Sequence, residues 1–137
     1  MEKPIVHDTM LLMKKAVPAD KSDSGTAVDL RDTLLAHSAG CAGLAANMIG
    51  ANKSIIAFFA AGVPVVMLNP RITAHSAESY ETEEGCLSLT GVRKTKRYHQ
   101  ITVEYDDMMM KRKRMVYTGF IAQVIQHEID HLNGILI

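Results

Sequence analysis

The run Phe120-Ile121-Ala122-Gln123-Val124-Ile125-Gln126-His127-Glu128-Ile129-Asp130-His131-Leu132 decides how this chain is read, because it holds no glycine or proline and its apolar residues recur at helical spacing. At about 100° per residue, Gln123, Gln126, Asp130 and Asn133 fall on one arc, and Phe120, Ile121, Val124, Ile125, Ile129 and Leu132 cover the rest. Such a helix is mostly buried. His127 and His131, spaced i and i+4, leave it together beside Phe120 and Val124, on its interior side. Buried imidazoles need partners, and a shared metal ion satisfies one nitrogen on each. Glu128 falls in the apolar arc, where an unpaired carboxylate is costly. The pattern is His-Glu-x-x-His.

Two donors do not complete a tetrahedral site. Only six residues follow His131, so a third ligand is expected upstream. Cys86, in Glu84-Gly85-Cys86-Leu87-Ser88, is the candidate: a thiolate is a strong ligand, and Gly85 lets the backbone approach another element. Three protein ligands would leave one position open, as in catalytic sites. Cys41 reads as a packed thiol. His7, His37, His75 and His99 have no partner at ligand spacing and read as surface or locally hydrogen-bonded histidines.

Upstream, Thr26 is placed to cap a helix carrying Ala27, Leu30 and Leu34 on one stripe, with Val28 and Leu35 beside it, ending near Gly40. Ile55 to Phe59 and Val63 to Leu68 are apolar runs split by Ala61-Gly62, which predicts a hairpin, with Asn69-Pro70 closing its second strand. Ile101, Val103 and Tyr105 alternate with polar neighbours, as do Met115 and Tyr117 beyond Asp106-Asp107, so a second antiparallel pair is expected before Gly119. The order of elements predicts an α+β fold, antiparallel sheets packed around a central C-terminal helix that carries the histidines, with residues 1–137 forming one domain.

Composition narrows function by exclusion. Fifteen basic and fifteen acidic residues cancel, so the footprint of a dedicated nucleic-acid or membrane-surface binder is missing. The basic run Lys111 to Arg114 reads as a solvated strand or turn edge. The first residues lack the features of a signal peptide and no apolar run nears membrane-spanning length, which predicts a cytoplasmic protein with both cysteines as thiols.

Three stretches, taken in order, resemble the peptide deformylase family: Gly43-Leu44-Ala45-Ala46-Asn47-Met48-Ile49-Gly50, then Glu84-Gly85-Cys86-Leu87-Ser88, then Gln126-His127-Glu128-Ile129-Asp130-His131-Leu132-Asn133-Gly134. The resemblance implies a metal-dependent hydrolase that removes the formyl group from N-terminal formylmethionine and releases formate. Its metal would be ferrous iron, with zinc, nickel or cobalt able to occupy the same Cys86, His127 and His131 ligands. Glu128 would move the proton of the attacking water, the Leu87 N–H would bind the oxyanion, and Gly43 and Gly85 would flank the substrate. The family's second oxyanion donor is a glutamine side chain, but the register puts Met48 there, and a thioether donates no hydrogen bond. Asn47, one residue away, carries an amide aimed elsewhere by the offset. A low-activity or inactive relative, and an amidase or peptidase acting on another N-acyl peptide, therefore stay open as alternatives. The implied partners are formylated nascent peptides, with ribosome association left open. The chain ends three residues after Gly134, so docking through the further C-terminal segment of many family members is not expected.

Overall fold

The computed structural model describes residues 1–137. Two helices come first, the single-turn α1 (Thr9–Leu12) and α2 (Ser24–Ala36). Seven strands follow: β1 (Gly43–Ala45), β2 (Ile55–Ala60), β3 (Val63–His75), β4 (Ser79–Glu84), β5 (Arg93–Tyr98), β6 (Gln100–Asp106) and β7 (Arg112–Thr118). The last element is α3 (Gly119–Leu132). All strand pairs are antiparallel, in a five-stranded sheet of order β1-β2-β3-β6-β7 and a separate hairpin β4-β5. The α+β architecture with a C-terminal helix is the one expected from sequence.

The β2-β3 hairpin forms where the apolar runs predict it, with Ala60 opposite Val63 and the intervening Ala61 and Gly62 both at positive φ, the two-residue turn that suits strand twist. Asn69-Pro70 does not end β3. The strand runs on to His75 with a register shift between Leu68 and Arg71, because Asn69 takes a φ of 53° and its side chain replaces lost ladder bonds, pairing with the Ala19 main chain at 2.8 Å in both directions. Asn tolerates the left-handed region and Pro lacks an N–H, so the two residues make a bulge as readily as a stop.

Helix α2 starts two residues before Thr26. The Asp20 side chain caps the preceding 3-10 turn, Lys21–Asp23, and that turn runs straight into the helix. Ala27, Leu30 and Leu34 are buried as the stripe predicts, while Leu35 is exposed. The core joins α2 to the sheet and α3 through fully buried side chains including Leu34, Ile56, Phe58, Met67, Ile101 and Ile125.

Helix α3 packs on β1 and β2, and its end is anchored by other segments. The Asn47 side chain donates to the His131 carbonyl at 2.8 Å and the Ala16 N–H to the Leu132 carbonyl at 2.8 Å, which satisfies two carbonyls that a helix C-terminus leaves open. Gly134, at φ 76°, lets the chain pass Met13 so closely that a Cβ would lie 2.2 Å from the Met13 carbonyl oxygen. The helical wheel misplaces two residues. Phe120 is 66% exposed, and Gln126 is buried with its amide bonded to both main-chain groups of Tyr98 at 2.9 Å, so it acts like one more rung between α3 and β5.

Candidate metal and catalytic site

Two consecutive turns of α3 carry His127, Glu128 and His131 inward, and the β4-β5 hairpin swings Glu84, Gly85 and Cys86 over them. The nitrogen and sulfur donors of Cys86, His127 and His131 all lie within 4.8 Å of one another. The two imidazole Nε2 atoms face each other at 3.1 Å, close to the separation of two ligands on one tetrahedral ion. His127 Nδ1 meets Glu84 Oε1 at 2.7 Å, which leaves its Nε2 as the free donor atom. The fit to a metal is also electrostatic. Burial opposes a charge on His127, yet hydrogen bonds with Cys86 and Glu84 and the Glu128 charge raise it to about 10, while burial and the neighbouring His127 drive His131 down to about 4. His131 is thereby neutral, the form that ligates a metal, and a bound cation would displace the proton that the Glu84 and Glu128 carboxylates draw to His127.

Glu84 is itself held by Arg97. The guanidinium, 4% exposed, donates from Nε and Nη2 to the two Glu84 oxygens at 2.9 and 2.7 Å and from Nη1 to Asp130 at 2.7 Å. Burial would raise the Glu84 carboxyl, but hydrogen bonds from His127 and Arg97 and the Arg97 charge hold it at about 2. Arg97 thereby locks β5, β4 and α3 together behind the imidazoles.

Glu128 is 3% exposed and its Oε1 has no hydrogen-bond partner. Burial, first, with the Glu84 and Asp130 charges, outweighs His127 and Arg97 and pushes its carboxyl up to about 7. Gly43 explains how the carboxylate fits. A Cβ there would lie 2.7 Å from Val124 Cγ1, 3.0 Å from Glu128 Oε2 and 3.2 Å from the Ala57 carbonyl, so only glycine lets β1 pass this close to α3.

These groups open on a cavity of about 440 Å³ lined by Gly43, Gly85, Cys86, Leu87, His127 and Glu128, with Phe120 and Val124 among its apolar residues. Phe120 is exposed because it forms part of this lining. Met48 is not among the lining residues. It is fully buried, and its Sδ accepts from the Ala45 N–H at 3.4 Å. Asn47 is spent on the end of α3 and is not aimed at the cavity.

Sequence reasoning missed three neighbours of the site. Arg97 sits in a strand of alternating Arg, Lys and Thr that has no apolar signal. The role of Glu84 could have been suspected from its place two residues before Cys86. Cys41, read as a packing residue, also lines the cavity, donates to the Gly43 carbonyl at 3.0 Å, and stays a thiol because burial and the Glu128 charge push it up to about 11.

The sequence matches the polypeptide deformylase family over residues 3–137. A peptide deformylase of Clostridium beijerinckii is 50% identical over 137 residues, all of both chains. The structure superposes on the class I type b peptide deformylase of Acinetobacter baumannii bound to Met-Ala-Ser with a TM-score of 0.89 and 28% identity, covering 99% of this chain and 97% of that one. A peptide deformylase from Legionella pneumophila gives a TM-score of 0.88 and 32% identity, covering 99% and 83%. With matching sequence, fold and buried donor set, the chain belongs to the peptide deformylase family, enzymes that remove the formyl group from the N-termini of nascent polypeptides.

Proposed function

We propose that deformylation in this chain is carried out by Cys86, His127, His131 and Glu128, with the Leu87 main chain as the oxyanion donor. The observation that carries this reading is the buried, unpartnered Glu128 carboxyl beside a Cys-His-His donor set, of which Cys86 and His127 line the cavity and His131 lies buried behind them. A divalent ion would be held by Cys86 Sγ and the two facing Nε2 atoms. When bound it supplies Lewis acidity to water and to the formyl oxygen. Ferrous iron is the proposed native ion; zinc, nickel and cobalt suit the same donors.

Glu128 takes the proton of the attacking water and passes it to the amide nitrogen as the carbon–nitrogen bond breaks, so formate and a free amine leave. Arg97 and Glu84 keep His127 in the tautomer whose Nε2 is free. The Leu87 N–H would stabilise the developing oxyanion. Gly43 and Gly85 line the cavity in which the peptide backbone would lie. The Met-Ala-Ser peptide bound by the Acinetobacter enzyme supports a methionyl chain as the ligand here. We place the work in the cytoplasm near the ribosome, where formylated chains emerge; no helix here is long and apolar enough to cross a membrane.

Formate release from a formyl-Met peptide by protein reloaded with ferrous iron under anaerobic conditions tests the assignment. Glu128→Gln, at matched metal content, should lose more than about a hundredfold in turnover. Wild-type turnover in that variant removes Glu128 from the mechanism.

A further inference from the structure

The main chain of the segment that supplies Cys86 and Leu87 has few hydrogen-bonded ties to the rest of the protein, although Cys86, Leu87 and Leu89 pack against the core. Between the end of β4 and the start of β5, residues 85–92 make no main-chain to main-chain hydrogen bond. Two side chains reach their carbonyls. Arg93 Nη1 meets the Thr90 oxygen at 3.4 Å, near the far end, and His7 Nδ1 meets the Ser88 oxygen at 3.0 Å, one residue from Leu87. The Ser88 hydroxyl, though buried, has no partner and adds no tie.

His7 is fixed from the other side. The preceding Val6 N–H donates to the Met48 carbonyl at 2.7 Å, and Ile5 and Val6 pack on the core. Leu87 lines both the active-site cavity and the groove that contains Ile5 and His7, so it is a thin wall between the two. The dipeptide Val6-His7 therefore joins the turn that holds Met48 to the loop that holds Cys86 and Leu87.

We propose that His7 is a positioning residue for deformylation: by donating from Nδ1 to the Ser88 carbonyl it fixes the course of the loop two peptide planes beyond the one that carries the Leu87 N–H, and so holds that donor at the cavity. The proposal rests on the reading of the Leu87 N–H as oxyanion donor. The bond requires the Nδ1-protonated form of the ring, and no other polar contact holds the main chain of residues 85–89. A donor on a loop held only by side-chain packing and the Cys86 ligand loses part of the preorganisation on which oxyanion stabilisation depends.

The test uses full-length, metal-loaded wild type, His7→Ala and His7→Asn, the last returning an amide nitrogen near the place of Nδ1. Amide hydrogen exchange over residues 85–90 and over α3 is measured with kcat and KM for a formyl-Met peptide. His7→Ala should speed exchange in 85–90 and not in α3, and should lower kcat about tenfold with KM within twofold, the scale of one lost hydrogen bond. His7→Asn should recover most of both. Unchanged exchange in His7→Ala overturns the tether itself. Faster exchange with unchanged kcat also overturns the catalytic role, and locates the fault in the Leu87 donor reading and not in the His7 contact. Loss of kcat that Asn does not restore, with exchange raised throughout α3, overturns it in favour of general destabilisation.

Discussion

Replacing Arg97 with Met should unsettle both the fold and the metal site. The guanidinium is 4% exposed and makes three charge-assisted bonds of 2.7 to 2.9 Å, two to Glu84 and one to Asp130. Met fills much of the same volume but leaves the buried Glu84 with His127 as its one remaining partner. Breaking a buried pair from one side costs about 3–5 kcal/mol, because the other charge stays desolvated. With unfolding entropy of about 2.1 cal/mol/K per residue, a chain of this length melts about 10–17 °C lower. Glu84 would also hold His127 less firmly, so metal affinity should fall about 10- to 100-fold. Thermal melts of chelated protein measure the first effect, and competition with a chromogenic chelator measures the second. Adding Glu84→Gln to Arg97→Met should recover part of the melting temperature, since the orphaned charge is then gone. A drop below about 3 °C with unchanged metal affinity would refute the view that this network supports the site.

Three further outcomes are expected. Gly43→Ala pushes a methyl against Val124 and Glu128 Oε2, so it should cost about 1–3 kcal/mol in urea unfolding and lower turnover more than tenfold; an unchanged kcat would mean that β1 does not hold Glu128 in place. Met48→Gln should leave formate release unimproved and lower the melting temperature, because the position is fully buried off the cavity and the new amide N–H groups would lack partners there; a gain of about tenfold in turnover would show instead that this side chain reaches the reacting oxygen. Glu128→Gln should retain stoichiometric metal by elemental analysis while turnover collapses, and a variant that loses its metal instead would make Glu128 a structural residue.

The parts of the fold that were legible in the sequence share one property: an apolar periodicity that matches one element. Helix α3, the β2-β3 hairpin and the β6-β7 pair all have it, and the basic run Lys111 to Arg114 is exposed, with Arg112 to Arg114 opening edge strand β7. The β4-β5 hairpin has none. Its strands read Ser-Tyr-Glu-Thr-Glu-Glu and Arg-Lys-Thr-Lys-Arg-Tyr, and only docking against α3 singles out Glu84 and Arg97 for burial. Asn69 shows the converse error, a residue with turn chemistry inside a strand. In the site, the spacing of His127 and His131 announced convergence on one helix face, and the geometry adds Cys86 to them. The surroundings were not legible. Whether Cys41 faces the cavity, whether Asn47 caps a helix, and whether His7 reaches a carbonyl 81 residues away depend on tertiary approach, which leaves no local pattern.

The central claim, that the Cys86, His127 and His131 set carries the metal on which deformylation depends, meets its most direct test in one paired titration. Chelated wild type and Cys86→Ala are titrated with ferrous iron under anaerobic conditions, and formate release from a formyl-Met peptide is followed at each addition. Wild type should bind one equivalent tightly and regain turnover in proportion to the iron bound, while Cys86→Ala should neither hold the ion nor release formate. Full turnover in Cys86→Ala, or in chelated wild type before any iron is added, would contradict the account.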